Sequence, residues 1–274
     1  MSELPDFHSA IVYLINADSA RATLPFQRVN RAEHHATAFW FNELVKETAE
    51  GAVVRQYLVT AGEPTRVEAA EITLRPELCY PAMSADKVAI MGFAEGWIHL
   101  DDLGVAVMPD TALYAYAERK GWSWTTDEIT DGVAATEEDI ARIGGTPVPA
   151  YLLGHPVDAE SGAREQALVV GEIVRTDEDG VRWVGTLPQG CVGAPVFIGA
   201  VLGENSFTLV CVGVALPGEG HHPIATFDRI RAALLTVAPE QRDLAPDGTV
   251  TATAAAVPEP GSAAPKRRWW QRRG

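Results

Sequence analysis

Leu187-Pro-Gln-Gly-Cys-Val-Gly-Ala-Pro-Val-Phe197 is the stretch on which the reading of this chain turns. Gly190 and Gly193 bracket a tight turn, since glycine enters left-handed backbone without steric cost. Pro195, Val196 and Phe197 then start an apolar run. Cys191 and Val192 stand between the glycines. A valine has no proton to lose and no lone pair to attack with, so Val192 cannot serve as a nucleophile.

The surrounding composition bounds the fold. The chain has 274 residues, of which 47% are hydrophobic, enough for one large domain or a two-lobed unit with a real core. Its 24 Gly and 18 Pro predict many turns and short strands in preference to long helices. No apolar run reaches the roughly 20 residues of a membrane-spanning helix, and no secretory signal is read in Met1-Ser-Glu-Leu-Pro-Asp. Cys79, Cys191 and Cys211 are odd in number and lack metal-ligand spacing. They suit buried free thiols in a reducing, cytoplasmic setting.

Charge is uneven along the chain. Residues 266–274 hold five cations (Lys266, Arg267, Arg268, Arg272, Arg273) and no acid. Residues 1–265 hold 17 Lys and Arg against 37 Asp and Glu, a net of −20. Such a body repels nucleic acid and anionic membrane, so only the tail is suited to either.

Working outward, residues 8–17, 36–41, 52–60 and 67–74 read as strands, with a polar turn from Asn42 to Gly51. Residues 111–145 read as more helical, with Thr136 as an N-cap ahead of Glu137, Glu138 and Asp139. Strands follow at 147–155, 166–175, 181–185 and 208–215, then a helical period within 224–237. Residues 245–265 are rich in Ala, Pro, Thr and Gly and read as a flexible linker.

The opening stretch resembles the nucleophile loop of bacterial trypsin-like serine peptidases, written Gly-Asp-Ser-Gly-Gly-Pro-Val. Three further blocks follow in the family's order. Ala36-Thr-Ala-Phe-Trp-Phe41 is similar to its Gly-Thr-Gly-Phe-Phe-Phe, and Leu58-Val-Thr-Ala-Gly-Glu63 to the strand that ends on the catalytic histidine. Gly104-Val-Ala-Val-Met108 is similar to the strand that starts on the catalytic acid. The resemblance covers about residues 8–237. It implies an all-β chymotrypsin-like fold with minor helix: two six-stranded antiparallel barrels, a C-terminal helix and a disordered tail. The implied division is 1–115 for the first lobe, 116–146 for the linker, 147–238 for the second lobe with its helix, and 239–274 for the tail.

The same blocks put Glu63, Gly104 and Val192 in the three catalytic slots. A triad needs a hydroxyl, an imidazole and an acid that orients the imidazole, and none of the three is present. The resemblance therefore implies a pseudopeptidase. Gly190 N–H and Val192 N–H occupy the positions of the family's oxyanion donors, so Gly190, Val192 and Gly193 are candidate ligand-binding residues. Peptide or protein binding, without cofactor or metal, is the first functional expectation. The alternative is a hydrolase that uses Cys191 as nucleophile, although Cys191 is one position early and Glu63 offers the wrong charge to stabilise a thiolate. A second alternative is an adaptor whose tail, Arg267, Arg268, Trp269, Trp270 and Arg272, docks on an acidic partner, anionic lipid or nucleic acid. His34-His35 and His221-His222 read as surface or turn residues, His99 and His155 as structural. Trp97, Trp122, Trp124 and Trp183 read as core aromatics.

Overall fold

The computed structural model describes residues 7–29, 34–49, 51–82, 87–176, 180–203, 206–237 and 250–253. It starts with a helix, α1 (Phe7–Ser19), where a strand was expected over 8–17. Ile11, Ile15 and Ser19 recur every four residues as its buried face, and Tyr13 points outward at 71% exposure. The β-branched residues carry strand propensity, but burial of one helical face overrides it. Ile11 fits over Gly199 in the second lobe, where a Cβ would overlap its side chain.

The first lobe is built from β1 (Thr23–Arg28), β2 (Ala36–Thr48), β3 (Gly51–Ala61), β4 (Ala69–Thr73), β5 (Cys79–Tyr80), β6 (Lys87–Met91), β7 (Ile98–Leu100) and β8 (Val105–Pro109). The connector adds α2 (Thr111–Arg119), β9 (Ser123–Trp124), β10 (Ile129–Thr130) and α3 (Glu137–Ala141). The polar stretch from Asn42 is strand up to Thr48, not turn, because it pairs with β3 through a bulge between Leu44 and Lys46.

The second lobe is a closed six-stranded barrel of β11 (Val148–Gly154), β12 (Ala167–Arg175), β13 (Val181–Val184), β14 (Pro195–Gly203), β15 (Ser206–Ala215) and β16 (His222–Thr226), followed by α4 (Phe227–Thr236). Within the expected linker, β17 (Val250–Thr253) pairs antiparallel with β6.

The main sheet of the first lobe runs β17-β6-β4-β1-β2-β3-β8-β7, with β10 joined in parallel to β2 where β1 has ended. It forms a half-barrel, since β6 takes β17 as its second neighbour and does not pair with β8. One face nevertheless encloses a single apolar cluster. Leu24, Phe26, Trp40, Leu58, Ile72, Ile90 and Met108 meet there, from six different strands. The alternate residues Phe39, Phe41, Tyr57, Val59, Val105 and Val107 point the other way and join the core of the second lobe. The period of two thus supplies both an internal core and the interface between lobes. Among the described residues the architecture is mostly β with four α-helices, one closed barrel and a half-barrel sheet, consistent with the chymotrypsin-like expectation.

The connector is stitched to the second lobe. Cys211 N–H donates to Val133 O at 2.7 Å and Ala135 N–H to Cys211 O at 2.8 Å. Arg231 of α4 donates to Asp131 Oδ1 and to the carbonyls of Asp131, Ala134 and Ala135. Thr136 caps α3 in a reciprocal box with Asp139. Trp97 and Trp183 are buried, and Trp122 and Trp124 pack half-buried against the first-lobe core. No helix among the described residues is long and apolar enough to cross a membrane.

Candidate functional site

The three slots lie on segments that meet where the lobes join. β3 ends at Ala61, opposite Val105 of β8, and the ladder continues one step as Gly62 N–H donates to Gly104 O at 2.8 Å. The approach is close: a Cβ at Gly62 would lie 3.4 Å from Gly104 carbonyl carbon. Glu63 then opens a single 3₁₀ turn, Glu63–Thr65, with its side chain in solvent. Gly104 has φ +65°, a left-handed conformation that favours glycine, and Leu216 lies beside it.

The 190–193 loop docks onto this corner through the first-lobe strands. Thr37 N–H donates to Val192 O at 2.9 Å, and Thr37 Oγ1 to Gly190 O at 2.8 Å. Thr60 Oγ1 in turn donates to Thr37 O at 2.7 Å. Gly193 has φ +85°, and its N–H donates to Ala215 O at 2.8 Å. A Cβ there would overlap Thr60 Oγ1 and the Thr37 carbonyl. Gly190 has φ +92°, and a Cβ on it would overlap His155 O. Both glycines therefore satisfy two demands at once, backbone conformation and close approach. Gly190 N–H and Val192 N–H donate to none of the acceptors of the described residues. Val192 is half-buried, with its side chain against the second-lobe core.

Cys191 faces inward. It is fully buried, and its Sγ sits against β11, 3.0 Å from where a Cβ of Gly154 would stand. Burial pushes its thiol pKa up to about 12. The thiolate is what reacts, so at neutral pH native Cys191 should alkylate at least about a hundredfold more slowly than a free thiol, and no faster than buried Cys79 or Cys211. Mass spectrometry after timed iodoacetamide exposure reads this directly. Fast, selective labelling of Cys191 would contradict the geometry.

The nearby histidines are structural. Thr65 Oγ1 donates to Gly62 O, so it accepts from His99 Nε2 at 2.9 Å, which fixes the proton on that nitrogen. Burial, with Arg66 nearby, lowers the His99 pKa. His222 is buried, unlike the surface position expected for it. Its Nε2 accepts from Leu187 N–H at 3.2 Å, so its Nδ1–H faces Leu216 O, tying the segment before the 190–193 loop to the one that follows β15. His34 is exposed. Among the described residues no group of three His, Cys, Asp or Glu is placed to hold a metal ion. Asp101 is exposed and pairs with Arg66, and Asp102 is also exposed.

Sequence reading missed Thr37, Thr60 and His155, which seat the loop. The first two lie in recognised strand blocks, but nothing local marks their hydroxyls as lobe-bridging. Arg267, Arg268, Trp269, Trp270 and Arg272 lie outside the described residues.

No family model matches the chain, and no curated protein matches it. Among solved structures, it is similar to a thermostable serine protease, AL20, from an extremophilic microorganism. That match has 14% identity and a TM-score of 0.42, over 79% of this chain and 96% of the other.

Proposed function

We propose that this protein is a non-catalytic, trypsin-like binding module that holds an extended peptide or protein segment at the junction of its lobes. One observation carries the reading. Glu63, Gly104 and Val192 lie on segments hydrogen-bonded into one corner, yet none of the three carries a hydroxyl or an imidazole, and the Thr37, Thr60 and Thr65 hydroxyls there are each donated to a main-chain carbonyl. The frame persists without the chemistry. Gly190 N–H and Val192 N–H, which make no hydrogen bond among the described residues, are suited to a peptide carbonyl or a carboxylate. The alternative, hydrolysis through Cys191, is favoured less because that sulfur is buried and its thiolate disfavoured. The free, buried cysteines support a reducing, cytoplasmic setting, and the basic Trp-containing tail is suited to recruiting a partner.

The test pairs turnover with binding. The full chain is incubated with casein and a fluorophosphonate probe, then titrated with a panel of capped fluorescent pentapeptides. The expected result is no cleavage, no labelling, and saturable binding that Val192→Trp weakens by about tenfold or more by filling the cleft. Serine labelling or proteolysis would overturn the non-catalytic part. Absence of binding across the panel, or binding indifferent to V192W, would overturn the peptide-binding part.

A further inference from the structure

A cavity of about 150 Å³ lies between α1, the connector and β15. It is roughly large enough for a benzene-sized group. Ile129 and Val133 of the connector and Leu209 of β15 give it apolar walls, and Asp18, Ser19 and Glu128 give it polar ones. Thr208, which also lines it, is exposed, so the space is reached from solvent.

The two carboxylates of the cavity lack a counter-charge of their own. Asp18 forms no hydrogen bond and no ion pair among the described residues, and burial, then Asp127, raises its pKa. Glu128 accepts from two neutral groups, the Thr126 hydroxyl at 2.7 Å and Gln56, and burial raises its pKa too. Arg21 is the cation that Glu128 feels, but Asp127 holds it through both carboxylate oxygens. Asp127 itself repels both cavity carboxylates. The end of α1 adds to the imbalance: a helix C-terminus carries partial negative charge, and the last turn of α1 has no basic residue.

Ser19 points to a ligand independently of these charges. It is only 6% exposed and lines the cavity. Its hydroxyl has no hydrogen-bond partner among the described residues, yet the oxygen is not sealed from solvent, so it opens into the cavity. A buried hydroxyl left without a partner costs free energy. The cavity is the place from which a donor can reach it.

We propose that this cavity binds an alkylguanidinium group, with Asp18 and Glu128 as its charge partners and the Ser19 hydroxyl as a further acceptor. A guanidinium suits the site better than an ammonium does. Its planar fork presents several donors at once to two carboxylates and a hydroxyl, and its weak hydration lets a face lie against an apolar wall at little cost. The group comes either from a free small cation or from an arginine of the chain's own tail, which holds Arg267, Arg268, Arg272 and Arg273. The site is independent of the peptide-binding reading of the cleft, since none of the residues that line it belongs to the 190–193 loop.

The experiment titrates the full chain with ethylguanidinium chloride by calorimetry at constant ionic strength. Ethylammonium and the neutral ethylurea serve as comparisons. Saturable ethylguanidinium binding with Kd at or below about 1 mM is expected, with the other two held at least about tenfold more weakly. Asp18→Asn keeps the side-chain shape and breaks no contact among the described residues, so it should fold, and it should weaken binding at least about tenfold. Glu128→Gln can still accept from Thr126 and should do the same. A full-length variant in which Lys266, Arg267, Arg268, Arg272 and Arg273 are all replaced by Gln separates the two sources. Tighter ethylguanidinium binding in that variant assigns the cavity to the tail, and unchanged affinity assigns it to a free cation. The proposal is overturned by absence of saturable binding in both the parent and the tail variant, by ethylammonium or ethylurea held as tightly, or by binding indifferent to D18N and E128Q. Cations gathered loosely by the chain's net charge of −15 would be indifferent to both substitutions and would count against the site.

Discussion

Gly193→Ala is expected to lower stability by about 3–5 kcal/mol, a large loss for a single added methyl, because two costs add. A φ of +85° strains an alanine by about 1–3 kcal/mol. The added Cβ also overlaps Thr60 Oγ1 and the Thr37 carbonyl, and overpacking of that kind costs about 1–3 kcal/mol or more. The carbonyl belongs to a strand paired on both sides, so it has little room to move. Gly162→Ala separates the two costs. Gly162 has φ +69° with nothing within 4 Å of the new Cβ, so it reports backbone strain alone, about 1 kcal/mol. Urea denaturation of both variants checks the pair. Equal losses would mean that the loop is not wedged against the first lobe as described.

Asp110→Asn should act in the opposite direction and depend on pH. Asp110 follows β8 at the start of α2 and is only 7% exposed, and its Oδ2 is buried without a hydrogen-bond partner. Burial, together with Glu128 nearby, raises its pKa to about 7. Because the folded pKa exceeds the unfolded one, the fold binds the proton more tightly. Its stability contribution is full below the unfolded value near 3.8 and is lost as pH rises through 7. Asparagine has the same shape and cannot ionise. At pH near 8 the variant should be about 2–4 kcal/mol more stable than the parent, since each tenfold difference in proton affinity between the folded and unfolded chain is worth roughly 1.4 kcal/mol. The gap should close below about pH 4. Thermal melts at the two ends of that range read the difference, and a pH-independent gap would refute the assignment to Asp110.

The legible parts of this protein were those whose signal is local. β3 and β15 were readable as short apolar runs rich in β-branched residues, and β8 only through the family resemblance of Gly104-Val-Ala-Val-Met108. The opening loop was readable as a turn because Gly190 and Gly193 carry positive φ. Thr136 announced its helix through a cap that satisfies main-chain donors within one turn. α1 was misread because Ile and Val over 8–17 suit a strand, and the face that decides the matter is buried only by the second lobe. His222 was misplaced for the same reason: its burial depends on Leu187 and Leu216, which lie outside its own turn.

By itself, then, the sequence determined the residue types Glu63, Gly104 and Val192 at the positions that the family resemblance singles out. That is a matter of covalent chemistry, and no folding can supply a missing functional group. Only the tertiary structure decided that Thr37 and Thr60 seat the loop that carries Val192, and that Cys191 faces the interior. Those are consequences of burial and of contacts between segments far apart in the chain, which propensity and periodicity do not encode.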